Sequence, residues 1–462
     1  MKNLWVLTEE RPKIDALKTI FETFCKDNNY AAFVDNVRIL PIIDNDIFTS
    51  TYEVTGFRCS KIDNIYIKIV SGYSSFVDFL LFYQKEEPVQ TDKPLYLIEE
   101  TKTDDKESRN TGVYQRCSKF VFADYFYPEA QKIMLYNIKV GQKKEPTETY
   151  IFGTRLLLTI GVRILGKSLD SKIFIPFQTI EELISFKSNM RKPPLGNVPI
   201  DIKEFEDKIQ ISGRLIKSGS LSHDPNIGAL SIIAKTLRVL NYNKIIEITM
   251  HGLNQNQLGK TNKFIKIANK LSLLLEELVI PSCDIGDKYW KYDKTGEKLA
   301  TIFMHIAVDS FTSGYSIFEN HAGCEKGYFI TRDGEHLSLE KYKDRAKYKS
   351  GDKTQNLEIP DLVLVDDDRS LIVNIEGKKF VNLKVGLEQL ETYDYFEKEY
   401  VNKYYKGFEI LRTLILYGGK KEEIGEIKVG FLLNDKGKLI LGIKAPELFK
   451  EAIKNLLNFW RV

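Results

Sequence analysis

Apolar residues in the first 165 positions fall in short runs separated by turn residues: NNYAAFVDN, NIYIKIV, SFVDFLLFY, PLYLIEETK and TRLLLTIGVRIL. Short runs rich in β-branched and aromatic residues predict strands, here of one mixed sheet. A helix is expected from about Thr111 to Tyr127, after the fourth run. The stretch FKSNMRKPPLGNVPID, with three prolines and a glycine among basic residues, predicts a linker or surface loop. Beyond it the texture changes. HDPNIGALSIIAKTLRVL reads as a capped helix, KIIEITMHGL as a strand, and Lys263 to Glu277 as a second helical stretch. After about residue 295 β-type runs return in IPDLVLVD and SLIVNIEGKKF, followed by an amphipathic helix near Val385 to Tyr404 and two more strands. The early order thus recurs late. The expectation is an α/β protein with an N-terminal domain over 1–185, a linker or loop over 186–210 and a C-terminal domain over 211–462. The last has a helical front segment, 211–290, and each domain has a mixed central β-sheet flanked by helices.

Length and composition permit this. A chain of 462 residues has room for two cores, and 43% hydrophobic with 28% charged residues is ordinary for a folded protein. No run approaches the roughly 18 apolar residues of a membrane helix, and MKNLWVLTEERPK lacks the apolar core of a secretory signal, so a cytoplasmic location without a membrane partner is expected. Cys25, Cys59, Cys117, Cys283 and Cys324 are scattered without a CxxC pair, which predicts reduced thiols. His321 with Cys324 is the nearest approach to a metal pair, and with no second pair close by in sequence no zinc is expected. The net charge of +3 does not announce nucleic acid, so local features must.

Two constellations carry chemistry. Phosphodiester hydrolysis with a hard divalent cation needs carboxylates from neighbouring strands and a cation near the attacking water. Residues two apart on a strand share a face, so Glu-x-Lys presents both groups to one surface. Late in the chain, Pro360 and Asp361 open IPDLVLVD, an acidic turn follows, and Glu376 and Lys378 lie 15 and 17 positions after Asp361. Early in the chain, Asp78 in SFVDFLLFY is followed 22 positions later by Glu100, then Lys102, with Val77 where the late copy has proline. Alternation puts Glu100 with Lys102 and turns Glu99 away, though Glu99 stays open as an alternative ligand. Asp78, Asp361 and Glu376 sit inside apolar runs, where a bare charge is costly unless a metal or hydrogen bonds offset it. Both motifs are followed by Gly-x-x-Gln, at Gly112 and Gln115 and at Gly386 and Gln389.

These residues resemble the PD-(D/E)xK nuclease superfamily, to which many type II restriction endonucleases belong, over about 60 residues around each motif. The resemblance implies restriction-endonuclease-like folds and Mg2+ as cofactor. Asp78, Glu100, Asp361 and Glu376 become metal ligands, with Lys102 and Lys378 beside the water. It further implies sequence-specific cleavage of double-stranded DNA to 5′-phosphate and 3′-hydroxyl ends, by a monomer with one site per strand or by a homodimer. One active and one degenerate site, a repair or defence nuclease, and a non-catalytic DNA-binding protein are the alternatives.

Candidate DNA contacts are Gln115, Arg116 and Lys119 on the expected helix after the early motif, and Gln389 after the late one. KYKDRAKYKSGDK carries six basic residues against two acidic ones, and Lys343, Arg345, Lys347 and Lys349 in it suit a phosphate-binding strip. Arg214 and Lys217, before a helix start, suit an anion. His223 there reads as a local hydrogen-bonding or capping residue and His251 as a packing or surface residue. QLGKTNKF lacks the first glycine of a phosphate loop, Asn254 standing in its place.

Overall fold

The structure is a computed structural model. It describes residues 2–73, 75–101, 112–136, 146–166, 172–191, 200–217, 220–221, 224–259, 263–284, 286–293, 296–321, 326–344, 347–348, 351–419, 429–442 and 444–461. It is mixed α/β, and the chain forms two compact units: Met1–Val70 with Tyr292–Val462, and Ser71–Lys291. The expected division at 186–210 is therefore corrected. Those residues lie within the second unit, where they supply the end of a helix and two paired strands, and 192–199 lies outside the described residues.

The first unit begins with β1 (Lys2–Thr8), α1 (Ile14–Asp27), the long hairpin β2 (Ala32–Asp44) and β3 (Ile47–Cys59), and β4 (Ile62–Gly72). Helix α1 buries Leu17, Ile20, Phe21 and Phe24, one helical stripe. Asn45 and Asp46, both at positive φ, make the two-residue turn of the hairpin, as residues tolerant of the left-handed region do. The strand order is β2-β3-β4-β1, with β1 and β4 parallel.

In the second unit, β5 (Phe79–Gln84) pairs antiparallel with β6 (Tyr96–Thr101). Helix α2 (Gly112–Phe126) leads to β7 (Gln131–Tyr136), parallel to β6, and α3 (Glu148–Thr159) leads to β8 (Val162–Leu165), parallel to β7. The run TRLLLTIGVRIL, expected as one strand, is the end of α3, a turn at Gly161 with φ 82°, and then β8. Neighbouring Leu156 and Leu157 are both buried, on the helix, where strand alternation would have separated them. After α4 (Ile180–Asn189), β9 (Asp201–Glu204), β10 (Lys208–Ser212) and the hairpin β11 (Ile216–Lys217) and β12 (Ser220–Leu221) come α5 (Asp224–Val239) and β13 (Ile245–Thr249). Helix α6 (Lys263–Lys270) stops short of the expected Glu277, because Ser272 takes a positive φ and β14 (Leu273–Leu275) joins β13 in a second sheet, β14-β13-β10-β9. A short strand, β15 (Trp290–Tyr292), spans the unit boundary.

The first unit resumes with α7 (Glu297–Phe311), where the sequence led us to expect β structure. Leu299 to Val308 are buried without a break, so this stretch has no exposed face and no helical period to read. Phe303 lies between Phe48 and Phe431, at ring separations of 4.8 and 5.4 Å. Then follow β16 (Tyr315–Glu319), the hairpin β17 (Lys326–Ile330) and β18 (His336–Glu340), β19 (Leu362–Asp366), β20 (Leu371–Lys379) and α8 (Leu383–Leu390). Short helical turns continue to Tyr404, before β21 (Glu409–Tyr417), β22 (Val429–Leu433), β23 (Leu439–Leu441) and α9 (Glu447–Trp460). The sheet order is β16-β19-β20-β21-β22-β23; β19 and β20 are antiparallel, while β21 is parallel to β20 and β22 to β21. No helix among the described residues is long and apolar enough to cross a membrane.

Candidate active sites

The late site lies in the first unit where β19 and β20 run side by side. Leu362 pairs with Ile375, so Asp361 and Glu376 are the next positions out along the two strands. The Asp361 backbone N–H donates to the Ile375 carbonyl at 3.0 Å, and the Gly377 N–H donates to Asp361 Oδ2 at 2.9 Å. Glu376 is buried; Lys378 donates to its Oε1 and the Tyr393 hydroxyl to its Oε2. Burial, and then the charge of Glu376, push the Asp361 carboxyl up to about 7. Burial likewise raises Glu376, against the pull of Lys378 and Tyr393. Burial works to discharge Lys378, but the charge and hydrogen bond of Glu376 outweigh it and hold the ammonium protonated.

Two close approaches build this site. A Cβ on Gly377 would stand 2.2 Å from Thr301 Oγ1 of α7, so the residue between Glu376 and Lys378 has to be minimal for the helix to pack there. A Cβ on Gly386 would meet the Lys378 stem at 2.9 Å, so α8 closes over the lysine. Helix α7 also brings Glu297, which accepts from the Lys379 N–H at 3.0 Å and adds negative charge felt by Asp361, Glu376 and Lys378. Sequence reading missed Glu297 and Tyr393. Tyr393 lies four positions after Gln389, the spacing of one helix face, a signal that was available, whereas Glu297 stands in the first turn of a helix that the sequence did not disclose. Gln389 Nε2 reaches Glu358 Oε2 at 3.4 Å.

The early site, in the second unit, repeats this frame in hydrogen-bond detail. Phe79 pairs with Ile98, so the position opposite Asp78 is Glu99. The Glu100 N–H donates to Asp78 Oδ2 at 2.7 Å, matching the bond from Gly377 to Asp361. Glu99 therefore stands where Glu376 does, Glu100 where Gly377 does, and Thr101 where Lys378 does. The expectation that Glu100 faces Asp78 and Glu99 turns away is corrected. All six residues of β6 are buried, so the strand has no wet face to set the parity. Lys102 lies outside the described residues.

Lys119 of α2 takes the place between the early carboxylates, with Nζ 3.1 Å from Asp78 Oδ1 and 2.8 Å from Glu99 Oε1. Arg116 Nε donates to the Glu100 carbonyl at 3.2 Å and lies 3.6 Å from Glu99 Oε1. Arg116 and Lys119, expected at a DNA-facing edge, instead turn inward onto the carboxylates. Burial and the Asp78 charge push Glu99 up to about 8, with Lys119 and Arg116 pulling the other way. Burial works to discharge Lys119, but Asp78 and Glu99 more than compensate and hold it charged. Val77 donates its backbone N–H to the Tyr289 hydroxyl at 3.0 Å, a bond that a proline cannot make.

The basic strip adjoins the late site. The Lys343 N–H donates to the Gln355 carbonyl and the Leu357 N–H to the Lys341 carbonyl, tying the strip to the segment that enters Asp361. Lys343 and Lys347 are exposed, the former 4.7 Å over the Tyr395 ring, while Arg345 and Lys349 lie outside the described residues. Arg214 is exposed, and Lys217 lies on the β11–β12 hairpin. Gln115 lies on α2, and His223 is outside the described residues. His251 is buried, with Nδ1 accepting from the Leu253 N–H at 2.9 Å. In comparisons with protein families, curated proteins and solved structures, nothing matches this chain.

Proposed function

We propose that the protein is a magnesium-dependent, sequence-specific endonuclease of double-stranded DNA, of the restriction type, whose chemistry belongs to Asp361, Glu376 and Lys378. The observation that carries this reading is the charge imbalance of the late site. The charges of Glu376 and Glu297 bear on Asp361, that of Glu297 also on Glu376, and Lys378 is the cation that acts on both Asp361 and Glu376. Two carboxyls, buried Glu376 and half-buried Asp361, held up by desolvation and the latter also by its neighbour's charge, fit a hard divalent ion, which favours carboxylate oxygens. Bound Mg2+ would neutralise charge on a phosphate and acidify a water. Asp361 and Glu376 would hold it, Tyr393 orients the Glu376 carboxylate, and the Lys378 ammonium sits where it can stabilise a hydroxide or a developing phosphorane charge. Exposed Lys343 and Lys347 would bind DNA phosphates near the site.

The early constellation favours a single active site per chain. Lys119 and Arg116 already balance Asp78 and Glu99, and Thr101 replaces the lysine of the motif. Nicked circles then come first, and cutting both strands takes a second chain or a second visit. The test is supercoiled plasmid carrying many sequences, incubated with and without magnesium. Magnesium-dependent nicking that Glu376→Gln abolishes supports the reading; plasmid left intact at every concentration, by protein that still shifts DNA in a gel, makes this a non-catalytic DNA-binding protein.

A further inference from the structure

A second cluster in the first unit has different chemistry. His305 lies on α7, while Glu319 ends β16 and His321 follows two positions later, a spacing that puts the latter two on one side of an extended chain. His305 Nδ1 lies 3.0 Å from His321 Nε2 and 3.7 Å from Glu319 Oε2, and one donor atom from each residue falls within 4.8 Å of the others. We propose that His305 Nδ1, His321 Nε2 and Glu319 Oε2 form a zinc site, separate from the magnesium chemistry of the late carboxylates.

The surroundings fit a metal better than a plain hydrogen bond between two imidazoles. His305 is fully buried, yet its Nε2 has no hydrogen-bond partner and faces Asp309 Oδ2 at 3.7 Å. A buried imidazole that spends Nδ1 on a neighbouring ring leaves that second nitrogen stranded. With Nδ1 on a metal, the Nε2–H points at a carboxylate, the arrangement that fixes tautomer and orientation in many metal-bound histidines. Asp309 is itself held by Arg11, and Lys13 holds Glu319 Oε1; Oε2 has no hydrogen bond, with Arg11 Nη1 3.7 Å away. Two nitrogens and one oxygen suit zinc rather than magnesium, and three protein donors leave a position for water. The sequence offered no such prediction, because His305 comes from a helix 14 residues before Glu319 without any motif spacing.

The test uses the full chain, stripped of metal by a chelator and desalted, then titrated with zinc against a chromogenic competitor, and separately with cobalt to read its visible ligand-field absorption. The expected result is a single tightly held equivalent and a tetrahedral cobalt spectrum. His321→Gln and Glu319→Gln should each weaken zinc at least about tenfold, while Asp361→Asn leaves it unchanged. Wild-type protein with native circular dichroism that loses zinc to the competitor as readily as His321→Gln overturns the proposal. So does loss of zinc in Asp361→Asn alone, which would assign the metal to the late carboxylates.

Discussion

The late and early constellations share one backbone frame and differ in which charge fills it. In both, an Asp just before a strand accepts the N–H of the residue after the facing Glu. In the late copy the neighbouring helix contributes Glu297 and the ExK lysine stays on its strand. In the early copy the helix contributes Lys119, which bridges Asp78 and Glu99. The lesson is that an acidic pair on adjacent strands is ambiguous until the third element is known. A carboxylate from that element invites a cation, and an ammonium replaces one.

The largest effect separates the copies by activity. Asp361→Asn or Glu376→Gln should lower magnesium-dependent plasmid nicking about a thousandfold or more, roughly 4 kcal/mol of barrier, by removing a metal ligand. Asp78→Asn and Glu99→Gln should leave the rate within a few-fold. Measured nicking lost equally in both pairs would mean that the early site also cuts.

Lys119→Met tests the filling directly. It leaves Asp78 and buried Glu99 without their bridging cation, and a broken pair of this kind costs about 3–5 kcal/mol when fully buried. Lys119 keeps partial solvent contact, so about 2–3 kcal/mol is expected, read as a lowered midpoint in urea. Magnesium should restore part of that loss in Lys119→Met and none in the wild type's early site. A variant as stable as wild type, indifferent to magnesium, would mean that the early lysine is not a substitute for a metal.

Tyr393→Phe removes only the hydroxyl that donates to Glu376. A hydrogen bond to a charged group is worth about 1.5–3 kcal/mol, so nicking should fall about tenfold to a hundredfold. Magnesium should be needed at higher concentration, with the fold intact by circular dichroism.

Much of the late site was legible because its parts are local. Asp361, Glu376 and Lys378 lie on two strands joined by a short turn, where chain spacing and alternation fix their relation. The early copy misled for a physical reason. The strand YLIEET is buried on both faces, so apolar alternation says nothing about which glutamate faces Asp78, and the pairing of Phe79 with Ile98 decides it. Lys119 was read on the right helix but as a DNA contact, and Glu297 was out of reach, since no local pattern encodes how a helix docks. Helix α7 was invisible for a related cause, being buried from Leu299 to Val308 with no wet face to set a period. Two domains were expected, but where the units divide escaped, because the first unit is assembled from both ends of the chain.

The smallest effect concerns protons and distinguishes the two copies by pH window. Asp361 is held up to about 7, against an ordinary aspartate near 4 in the unfolded chain. Between those values the metal-free folded protein binds a proton that the unfolded chain does not, so its stability falls as pH rises through that window. Magnesium needs the ionised carboxylates, so its affinity should rise with pH up to about 7, by at most tenfold per unit for one proton, and then level off. Glu99, held up to about 8, extends the stability loss higher, but with Lys119 in place it should add nothing to magnesium binding. Titration calorimetry in buffers of different ionisation heat measures the protons released. Asp361→Asn should abolish the release near neutral pH and Glu99→Gln should preserve it. The opposite pattern would move the metal to the early frame.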